Sequence, residues 1–180
     1  MKVETAFDIG LPTYSVRSLS LEDSGAIQEL YDKCLDYMLL VDGHPAGPDA
    51  GEIEFQDAPP GKSIDDRFMF GIINQQNDLV GLLDTLRGYP DEVTWWIGLL
   101  LLVPEVRSQG IGQKVVQGFT EYVRARRGQA IMLGVVEENE RAYKFWDRLG
   151  FEWIRTTEPR PFGVKTHRVN ILCRKLIGAK

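Results

Sequence analysis

The chain has 180 residues, a length that favours a single domain over residues 1–180. Its composition, 43% hydrophobic and 26% charged, is that of a soluble globular protein. The balance of 21 basic and 26 acidic residues disfavours nucleic-acid binding, and the longest apolar run, Trp95–Val103, is far shorter than the stretch of about 20 residues that crosses a membrane.

The first third of the chain combines a strand, a helix and a long loop. Residues 14–19 alternate between apolar and polar side chains, which predicts a short strand. Ser20 and Asp23 form the pattern of a capping box, and apolar residues at helical spacing then predict a helix from about 21 to 40. Glycines and prolines crowd residues 41–62, which predicts a loop with one short helix near Ala50–Phe55.

Three strands follow in the middle of the chain. The segments Arg67–Ile73 and Leu79–Leu86 flank a polar turn, as the strands of a hairpin do, and Val93–Val103 is the third strand. Pro104 ends this strand, because proline has no N–H to donate to a sheet.

The last third of the chain alternates helices and strands. A helix with one apolar face begins near Ile111 and ends before Gly128, and a second helix opens at Asn139 and ends at Gly150. Strands are predicted at Ala130–Val136, Phe151–Thr157 and His167–Lys175, with a loop that contains Pro159, Pro161 and Gly163 between the last two. This order of elements predicts an α/β or α+β protein with a mixed sheet and helices on its faces.

The segment between the third strand and the following helix, Val103–Gly112, has the features of an anion-binding turn. Gly110 and Gly112 lie where the chain enters the helix, and glycine lets the backbone approach a ligand closely. The amides from Ser108 to Gly112 would then point out of the helix N-terminus, where a pyrophosphate binds favourably, and Arg107 adds a positive charge. The residues alone leave open a turn that binds nothing, whereas a P-loop and a Rossmann fingerprint do not match.

Two motifs in this half of the chain resemble those of one enzyme family. Pro-x-x-Arg-x-x-Gly-x-Gly at Pro104–Gly112, after an apolar strand, resembles the acetyl-CoA-binding segment of the GNAT acetyltransferase superfamily. Asn-x-x-Ala…Leu-Gly-Phe at Asn139–Phe151 is similar to the second segment of that family and follows in the same order. The resemblance implies the acyl-CoA N-acyltransferase fold, a mixed and mostly antiparallel sheet of six to seven strands flanked by about four helices.

The resemblance also implies acetyl-CoA as cosubstrate and no metal. The strand at Leu100–Leu102 would separate from Ala130–Val136, and the pantetheine would lie between them like an additional strand. A backbone amide near Leu101 would polarise the thioester carbonyl. The amides of residues 107–112 would hold the pyrophosphate, and Asn139 would donate to the pantetheine. The implied cofactor-binding residues, including those that pack near the thiol, are Leu100, Leu101, Leu102, Arg107, Ser108, Gln109, Gly110, Ile111, Gly112, Asn139, Ala142, Phe145 and Trp146.

Transfer to an amine also needs groups that handle protons. A lysine-like amine has a pKa near 10.4, so its deprotonation at pH 7 costs about 4–5 kcal/mol and a base is expected. The resemblance implies an acidic residue on the strand before the turn or on its neighbour. Thr94–Val103 contains none, so Asp84 on the adjacent strand is the candidate base. The other interpretation of Asp84 is a solvated carboxylate. Trp146 stands where many relatives carry tyrosine, and an indole N–H cannot protonate a thiolate, which leaves Tyr143 as a candidate acid or as a surface residue.

The sequence therefore predicts an N-acetyltransferase that transfers the acetyl group of acetyl-CoA to a primary amine, by direct attack in a ternary complex. The regions near 36–60, 84–92 and 156–166 are expected to bind the acceptor, and their acidic residues predict a small cationic amine or an amino terminus. These acidic residues are Asp36, Asp42, Asp84, Asp91, Glu92 and Glu158. A non-catalytic acetyl-CoA sensor and a transferase for another acyl-CoA are the alternatives.

Further expectations concern partners and location. Trp95 and Trp96 are adjacent on a strand and face opposite sides, so one is expected in the core and the other at the acceptor site or at a homodimer contact. The N-terminus has no secretory signal, and the two cysteines, Cys34 and Cys173, are far apart and in no metal-like spacing. We therefore expect a cytoplasmic protein that has reduced thiols and no metal, nucleic-acid or membrane partner.

Overall fold

The computed structural model describes residues 6–56 and 62–176. Within these residues the chain forms nine strands and five α-helices. The predicted strands and helices are found in the predicted order, with differences in the first helix and near the C-terminal end of the chain. The strands are β1 (Tyr14–Ser18), β2 (Arg67–Asn74), β3 (Leu79–Arg87), β4 (Thr94–Leu102), β5 (Ala130–Val136), β6 (Glu152–Thr156), β7 (Arg160–Phe162), β8 (Lys165–His167) and β9 (Val169–Lys175). The helices are α1 (Ser24–Lys33), α2 (Leu35–Val41), α3 (Ala50–Ile53), α4 (Ile111–Ala125) and α5 (Glu140–Arg148).

Seven strands form one sheet in the order β1-β2-β3-β4-β5-β9-β6, and β7 pairs with β8 in a separate hairpin. Neighbouring strands of the large sheet are antiparallel, with the exception of the parallel pair β4 and β5. Parallel neighbours need a crossover connection, and α4 provides it. The predicted mixed, mostly antiparallel sheet of six to seven strands is confirmed.

Helix α4 packs against the sheet through a continuous apolar stripe. Its residues Ile111, Val115 and Phe119 are at most 3% exposed and recur at positions that share one helix face. Phe119 contacts Trp95 of β4, with ring centroids 5.9 Å apart and nearly perpendicular rings. Burial of each such side chain contributes about 1.5–3 kcal/mol. Helix α4 is therefore packed tightly against β4, the strand that precedes it.

The predicted helix from 21 to 40 is a 3₁₀ turn at Leu21–Asp23 followed by α1 and α2, with a break between the two helices at Cys34. The backbone of Cys34 has φ −98° and ψ 33°, outside the helical range, and its side chain is fully buried. Its Sγ donates a hydrogen bond to Leu102 O at 3.4 Å. This long-range contact directs α2 toward the end of β4, a constraint that helical spacing in the sequence does not contain.

The end of the chain also differs from the prediction. The predicted strand His167–Lys175 is divided between β8 and β9, and β7 occupies part of the predicted loop. The hairpin β7–β8 is bound to the C-terminal end of α2, where Lys165 Nζ donates to Leu40 O at 3.0 Å and Val164 N–H donates to Asp42 O at 2.9 Å. The last carbonyl groups of a helix lack partners within it, so the hairpin satisfies groups that α2 leaves unpaired.

Two sequence-based interpretations fall wholly or partly outside the described residues. They are the inspection of the N-terminus for a secretory signal, which begins with residues 1–5, and the loop assignment of residues 57–61. In the part of the chain that the structure describes, no helix is both long enough and apolar enough to cross a membrane.

Asp23 connects the start of the helical region to β1. Arg17 Nη2 donates to Asp23 Oδ1 at 2.6 Å, and the Ser20 N–H donates to Asp23 Oδ2 at 2.9 Å. The hydrogen bond from Arg17 is the main reason why the pKa of Asp23 lies below its ordinary value. The ionised carboxylate therefore stabilises the folded state.

We expect Asp23→Asn to lower the free energy of unfolding by about 1–2 kcal/mol at pH 7. A carboxyl group whose pKa is lowered in the folded state stabilises the protein at pH values above its pKa in the unfolded state, which is near 3.9. This stabilisation is lost as the pH falls through the pKa of the folded state. The difference between variant and wild type should therefore be smaller at a pH below the unfolded value near 3.9 than at pH 7. Urea denaturation at both pH values measures it, with the exposed Asp147→Asn as control. A loss of equal size at both pH values would contradict the assignment.

Candidate active site

Strands β4 and β5 pair only over their first halves. The parallel ladder joins Thr94–Ile97 to Ala130–Leu133, and no further pair follows in the described chain. On its other side, β4 continues to pair with β3 but contains a bulge, which leaves Gly98 without a partner between Ile97 and Leu99. A bulge bends the strand that carries it, and the second half of β4 leaves β5 at this point. The expected separation of the two strands is therefore present.

The separated strands enclose a cavity of about 1200 Å³. Leu99–Leu102 line one side of it and Leu133–Val136 the other. The turn into α4 and the apolar face of α5 also contribute to the wall. The remaining part, named here the α2 side, consists of Asp36, Tyr37, Leu40, Val41, Trp96, Arg160, Phe162 and Val169.

The turn into α4 presents a row of backbone N–H groups. Ser108 and Gly110 have φ of 62° and 81°, and such left-handed residues allow successive amides to form an anion-binding concavity. The first helical hydrogen bond runs from Lys114 N–H to Gly110 O at 3.1 Å, so the N–H groups of residues 111–113 have no helical partner. Within residues 6–56 and 62–176, the N–H groups of residues 108–110 have no hydrogen-bond partner either. The amides of residues 108–113 can therefore bind an anion where the helix dipole favours one.

The side chain of Arg107 does not join this row. Its Nε donates to Leu102 O at 2.7 Å, and Nη1 and Nη2 donate to the Asp36 carboxylate at 2.5 and 3.1 Å. The hydrogen bonds from Arg107 hold the pKa of Asp36 below its ordinary value. The guanidinium therefore connects α2 to the end of β4. Arg107 lines the cavity, and Asp36 balances its charge there, so its role in binding a pyrophosphate stays a prediction.

Two other arginines of the wall lie on α5. Arg141 Nη2 donates to Ser108 Oγ at 3.0 Å, and both residues line the cavity. Arg148, about two turns further along the helix, lines it as well. Neither arginine was predicted from the sequence, although Arg141 is two positions after Asn139 in the second motif, which is the signal that points to it.

The edge of β4 that faces the cavity includes the backbone amide of Leu100. Val103 N–H donates to Val80 O of β3 at 2.9 Å. Backbone groups of successive residues point to opposite edges of a strand, so the N–H and C=O groups of Leu101, two residues earlier, also point toward β3. The Leu101 carbonyl oxygen accordingly lies 2.9 Å from the position that a Cβ on Gly81 would occupy. The amide of Leu101 therefore points toward β3, and the neighbouring amide of Leu100 is the one directed toward the cavity.

Helix α5 places its apolar face in the cavity wall. Asn139 Oδ1 accepts a hydrogen bond from Ala142 N–H at 3.1 Å and caps the start of the helix. Ala142, Phe145 and Trp146 then line the cavity at helical spacing. A Cβ on Gly112 would lie 3.3 Å from Phe145 Cζ, so α4 and α5 are in close contact at this point.

Most of the residues that the resemblance implies for cofactor binding lie in this one wall. All of them except Gln109 and Ile111 line the cavity. Gln109 Nε2 donates to Glu105 O at 2.7 Å, and Ile111 is buried in the core. Both still contribute their backbone N–H groups to the amide row of residues 108–113.

The two candidate catalytic residues, Asp84 and Tyr143, are not among the described residues that line the cavity. Asp84 Oδ1 accepts from Arg67 Nε at 2.8 Å, and Arg67 also forms an ion pair with Glu54. Burial raises the pKa of Asp84, an effect that Arg67 opposes. A Cβ on Gly98 would lie 2.8 Å from Asp84 Oδ2, so the Asp84 carboxylate packs against this glycine of the wall. Tyr143 packs against the hydrophobic core.

The α2 side of the cavity combines three aromatic residues, Tyr37, Trp96 and Phe162, with apolar residues and the charged Asp36 and Arg160. Trp96 is the member of the tryptophan pair that lines it, whereas Trp95 is 1% exposed in the core. Burial raises the pKa of Tyr37 to about 12. Its hydroxyl therefore stays protonated at neutral pH and can act as a hydrogen-bond donor. Tyr37 was not predicted as a cavity residue, because the helical spacing of residues in α2 does not indicate which strand the helix packs against.

Most of the acidic residues expected to bind the acceptor do not line the cavity. Of the six acidic residues named for it from the sequence, Asp36 alone lines the cavity, and it is bound to Arg107. The structure therefore removes the charge argument for a small cationic acceptor. Glu138 and Glu140, which the sequence analysis did not assign to the acceptor, are the other acidic residues of the described wall.

Comparison with known proteins identifies the family. The profile of the Acetyltransferase (GNAT) family matches residues 25–151, more than half of the chain. N-alpha-acetyltransferase 30 of Schizosaccharomyces pombe (strain 972) is 38% identical over 86 residues, which are 48% of this chain and 51% of the relative. The chain thus spans about half the length of this curated relative.

Solved structures of other acetyltransferases share the fold. An acetyltransferase from Thermus thermophilus has a TM-score of 0.74 at 19% identity and covers 98% of this chain and 100% of its own. An acetyltransferase of Salmonella typhimurium that modifies the N-terminal serine of a 50S ribosomal subunit protein has a TM-score of 0.79 at 16% identity, over 94% of this chain and 98% of its own. At such identities the likeness shows the fold alone, whereas the family match covers both motifs. The chain therefore belongs to the GNAT acetyltransferase family.

Proposed function

We propose that this enzyme transfers the acetyl group of acetyl-CoA to the α-amino group of a peptide or protein N-terminus, by direct attack in a ternary complex. The observation that carries the proposal is the gap between β4 and β5, because one cavity extends through it from the amide row of residues 108–113 to the aromatic α2 side. A long ligand with an anionic part and a reactive end suits such a cavity. The N-alpha-acetyltransferase relative and the Salmonella enzyme that acts on an N-terminal serine support the choice of an α-amine.

The residues of the wall fit acetyl-CoA, which the family implies as cosubstrate and which supplies an activated acetyl group when bound. The unpartnered amides of residues 108–113 would hold its pyrophosphate, and Arg141 would add a positive charge. Leu100 would bind through backbone groups that β5 leaves unpaired, and its amide would polarise the thioester carbonyl. Asn139 would donate from Nδ2, because its Oδ1 caps α5.

The proton chemistry of the cavity favours an α-amine over a lysine side chain. An α-amino group has a pKa near 7.7–8.0, so its deprotonation at pH 7 costs about 1 kcal/mol, compared with about 4–5 kcal/mol for a lysine amine. Asp84, the carboxyl group whose pKa is raised by burial, is not in the described wall. The acids of the wall with a resolved shift, Asp36 and Glu138, have lowered pKa values and are weak bases. Such a site suits a nucleophile that loses its proton easily.

The wider setting of the enzyme stays a prediction from the sequence. It comprises one domain over residues 1–180, a cytoplasmic location, and the absence of nucleic-acid and membrane partners. Trp96 lines the cavity and therefore gives no support to a homodimer contact.

We expect Gly112→Asp to weaken acetyl-CoA binding by at least about 100-fold, because a carboxylate at the start of α4 would repel the pyrophosphate and occupy the concavity that binds it. Gly112 has an ordinary helical backbone, and the nearest obstacle to the new side chain is the edge of the Phe145 ring, so the fold should survive. Isothermal titration calorimetry measures the affinity. Gln117→Asp adds the same charge at an exposed position of α4 and serves as the control. An unchanged affinity in Gly112→Asp would refute the phosphate assignment.

We expect peptides with a free N-terminus to be acetylated at least about 100-fold faster near pH 7 than the same peptides with a blocked N-terminus and an internal lysine, because the α-amine loses its proton at a lower pH. Release of the CoA thiol measures the rate, and mass spectrometry identifies the modified amine. A panel of small diamines under the same conditions is the comparison. Turnover that occurs with lysine side chains or diamines but not with free N-termini would contradict the proposed acceptor.

A further inference from the structure

His167 is almost completely buried, at 3% exposure of its side chain, yet both of its ring nitrogens face oxygen atoms. Nε2 lies 2.8 Å from Val41 O at the end of α2, and Nδ1 lies 2.7 Å from Glu138 Oε2. A carbonyl oxygen can only accept a hydrogen bond, so Nε2 carries a hydrogen atom. Without a proton between them, Nδ1 and the carboxylate oxygen would both be hydrogen-bond acceptors. The short contact at Nδ1 therefore requires one further proton, which His167 and Glu138 share.

Glu138 is the member of this pair that reaches the cavity. Its side chain is 52% exposed and lines the cavity, whereas His167 is buried behind it. The other acidic residues of the described wall have permanently charged partners: Asp36 is paired with an arginine and Glu140 with a lysine. Of the three acidic residues in the described wall, Glu138 is the one that is paired with a histidine.

The pair lies next to the α2 side. Phe162, which lines the cavity, packs on the His167 ring with centroids 5.6 Å apart, and Val41 also lines the cavity. Hydrogen bonds from its own backbone N–H and from His167 hold the pKa of Glu138 below its ordinary value. The charged groups on the surrounding elements are Lys165 on β8, Arg160 on β7, Asp42 after α2, and the adjacent Glu137 and Arg168.

We infer that Glu138 accepts a hydrogen bond from the attacking α-amine and that His167 is the residue that positions and neutralises this carboxylate. The inference rests on the proposed function and adds to it the group that orients the nucleophile. An isolated carboxylate beside an amine favours the ammonium form, which cannot attack. The proton shared between Glu138 and His167 balances the charge of the carboxylate, so Glu138 can orient the amine without holding it in the ammonium form.

The protons and bonds of the transfer balance with these residues. One proton of the substrate ammonium passes through Glu138 to water. The amine nitrogen then forms a bond to the acetyl carbon, and the bond from that carbon to sulfur breaks. The second proton on the nitrogen passes to the departing thiolate, which leaves as the CoA thiol. Glu138 and His167 return to the protonation state in which they began.

Glu138→Gln removes the charge and keeps the shape of the side chain. We expect kcat/KM for a peptide with a free N-terminus to fall about 100-fold, while the dissociation constant of acetyl-CoA changes by less than about twofold. Glu137→Gln is the matched control, because Glu137 is the preceding residue, is exposed and is not part of the cavity wall. It should retain wild-type activity. Equal activity of the two variants would overturn the inference.

His167→Gln tests the positioning role through the pH profile. Glutamine keeps an N–H donor for Val41 O but carries no charge, so the unpaired carboxylate now favours the ammonium form of the substrate. We expect the pH at which kcat/KM is half-maximal to rise by about one unit, a shift that a merely structural defect does not produce. An unchanged midpoint would overturn the role of His167. If this variant does not fold, the comparison of Glu138→Gln with Glu137→Gln still decides the inference.

Failure of this inference can be distinguished from failure of the proposed function. A wild-type enzyme that binds acetyl-CoA but acetylates no free N-terminus overturns the proposed function and the role of Glu138 with it. A wild-type enzyme that is active, together with a Glu138→Gln variant as active as Glu137→Gln, overturns the role of Glu138 alone.

Discussion

The bulge at Gly98 and the end of the parallel ladder at Ile97 leave the second half of β4 with a paired edge toward β3 and an unpaired edge toward β5. Buried backbone N–H and C=O groups that lose a partner cost free energy unless another group binds them. Here those groups border a cavity, so a ligand with amide groups of its own can take the position of the missing strand. The amide row of residues 108–113 lies just beyond the same strand, so one interruption of the sheet accounts for both binding features.

The α2 side depends on hydrogen bonds to a few carbonyl groups. Leu102 O, at the end of β4, accepts from Arg107 Nε and Cys34 Sγ, and so fixes α2 relative to the separated strand. The last carbonyl groups of α2 in turn accept from the hairpin β7–β8, including a hydrogen bond from His167. Hydrogen bonds therefore connect β4 to α2, and α2 to the hairpin β7–β8, around the proposed site of the acceptor amine. This connection explains why Glu138, Phe162 and α2 meet at one cavity although they come from separate parts of the sequence.

The sequence predicted most reliably where one local rule dominates. The apolar stripe of α4, the stop at Pro104 and the glycines of the turn into α4 all act over a few residues, and the corresponding elements were found within a few positions. The prediction was wrong or incomplete where a distant group decides the outcome. The helix is interrupted at Cys34, whose Sγ donates to the distant Leu102 O, and the hairpin β7–β8 packs against the C-terminal end of α2.

By itself, the sequence determined the fold class, the order of the elements and the family, because spacing and turn chemistry are local and the two motifs lie in uninterrupted segments. Only the tertiary structure decided which charges remain available for chemistry. Arg107 is bound by Asp36, Asp84 is bound by Arg67, and Glu138 faces the cavity beside a buried histidine. The reason is that the role of a charged side chain depends on its nearest partner, and partners distant in the chain become neighbours only when the sheet and its helices have packed.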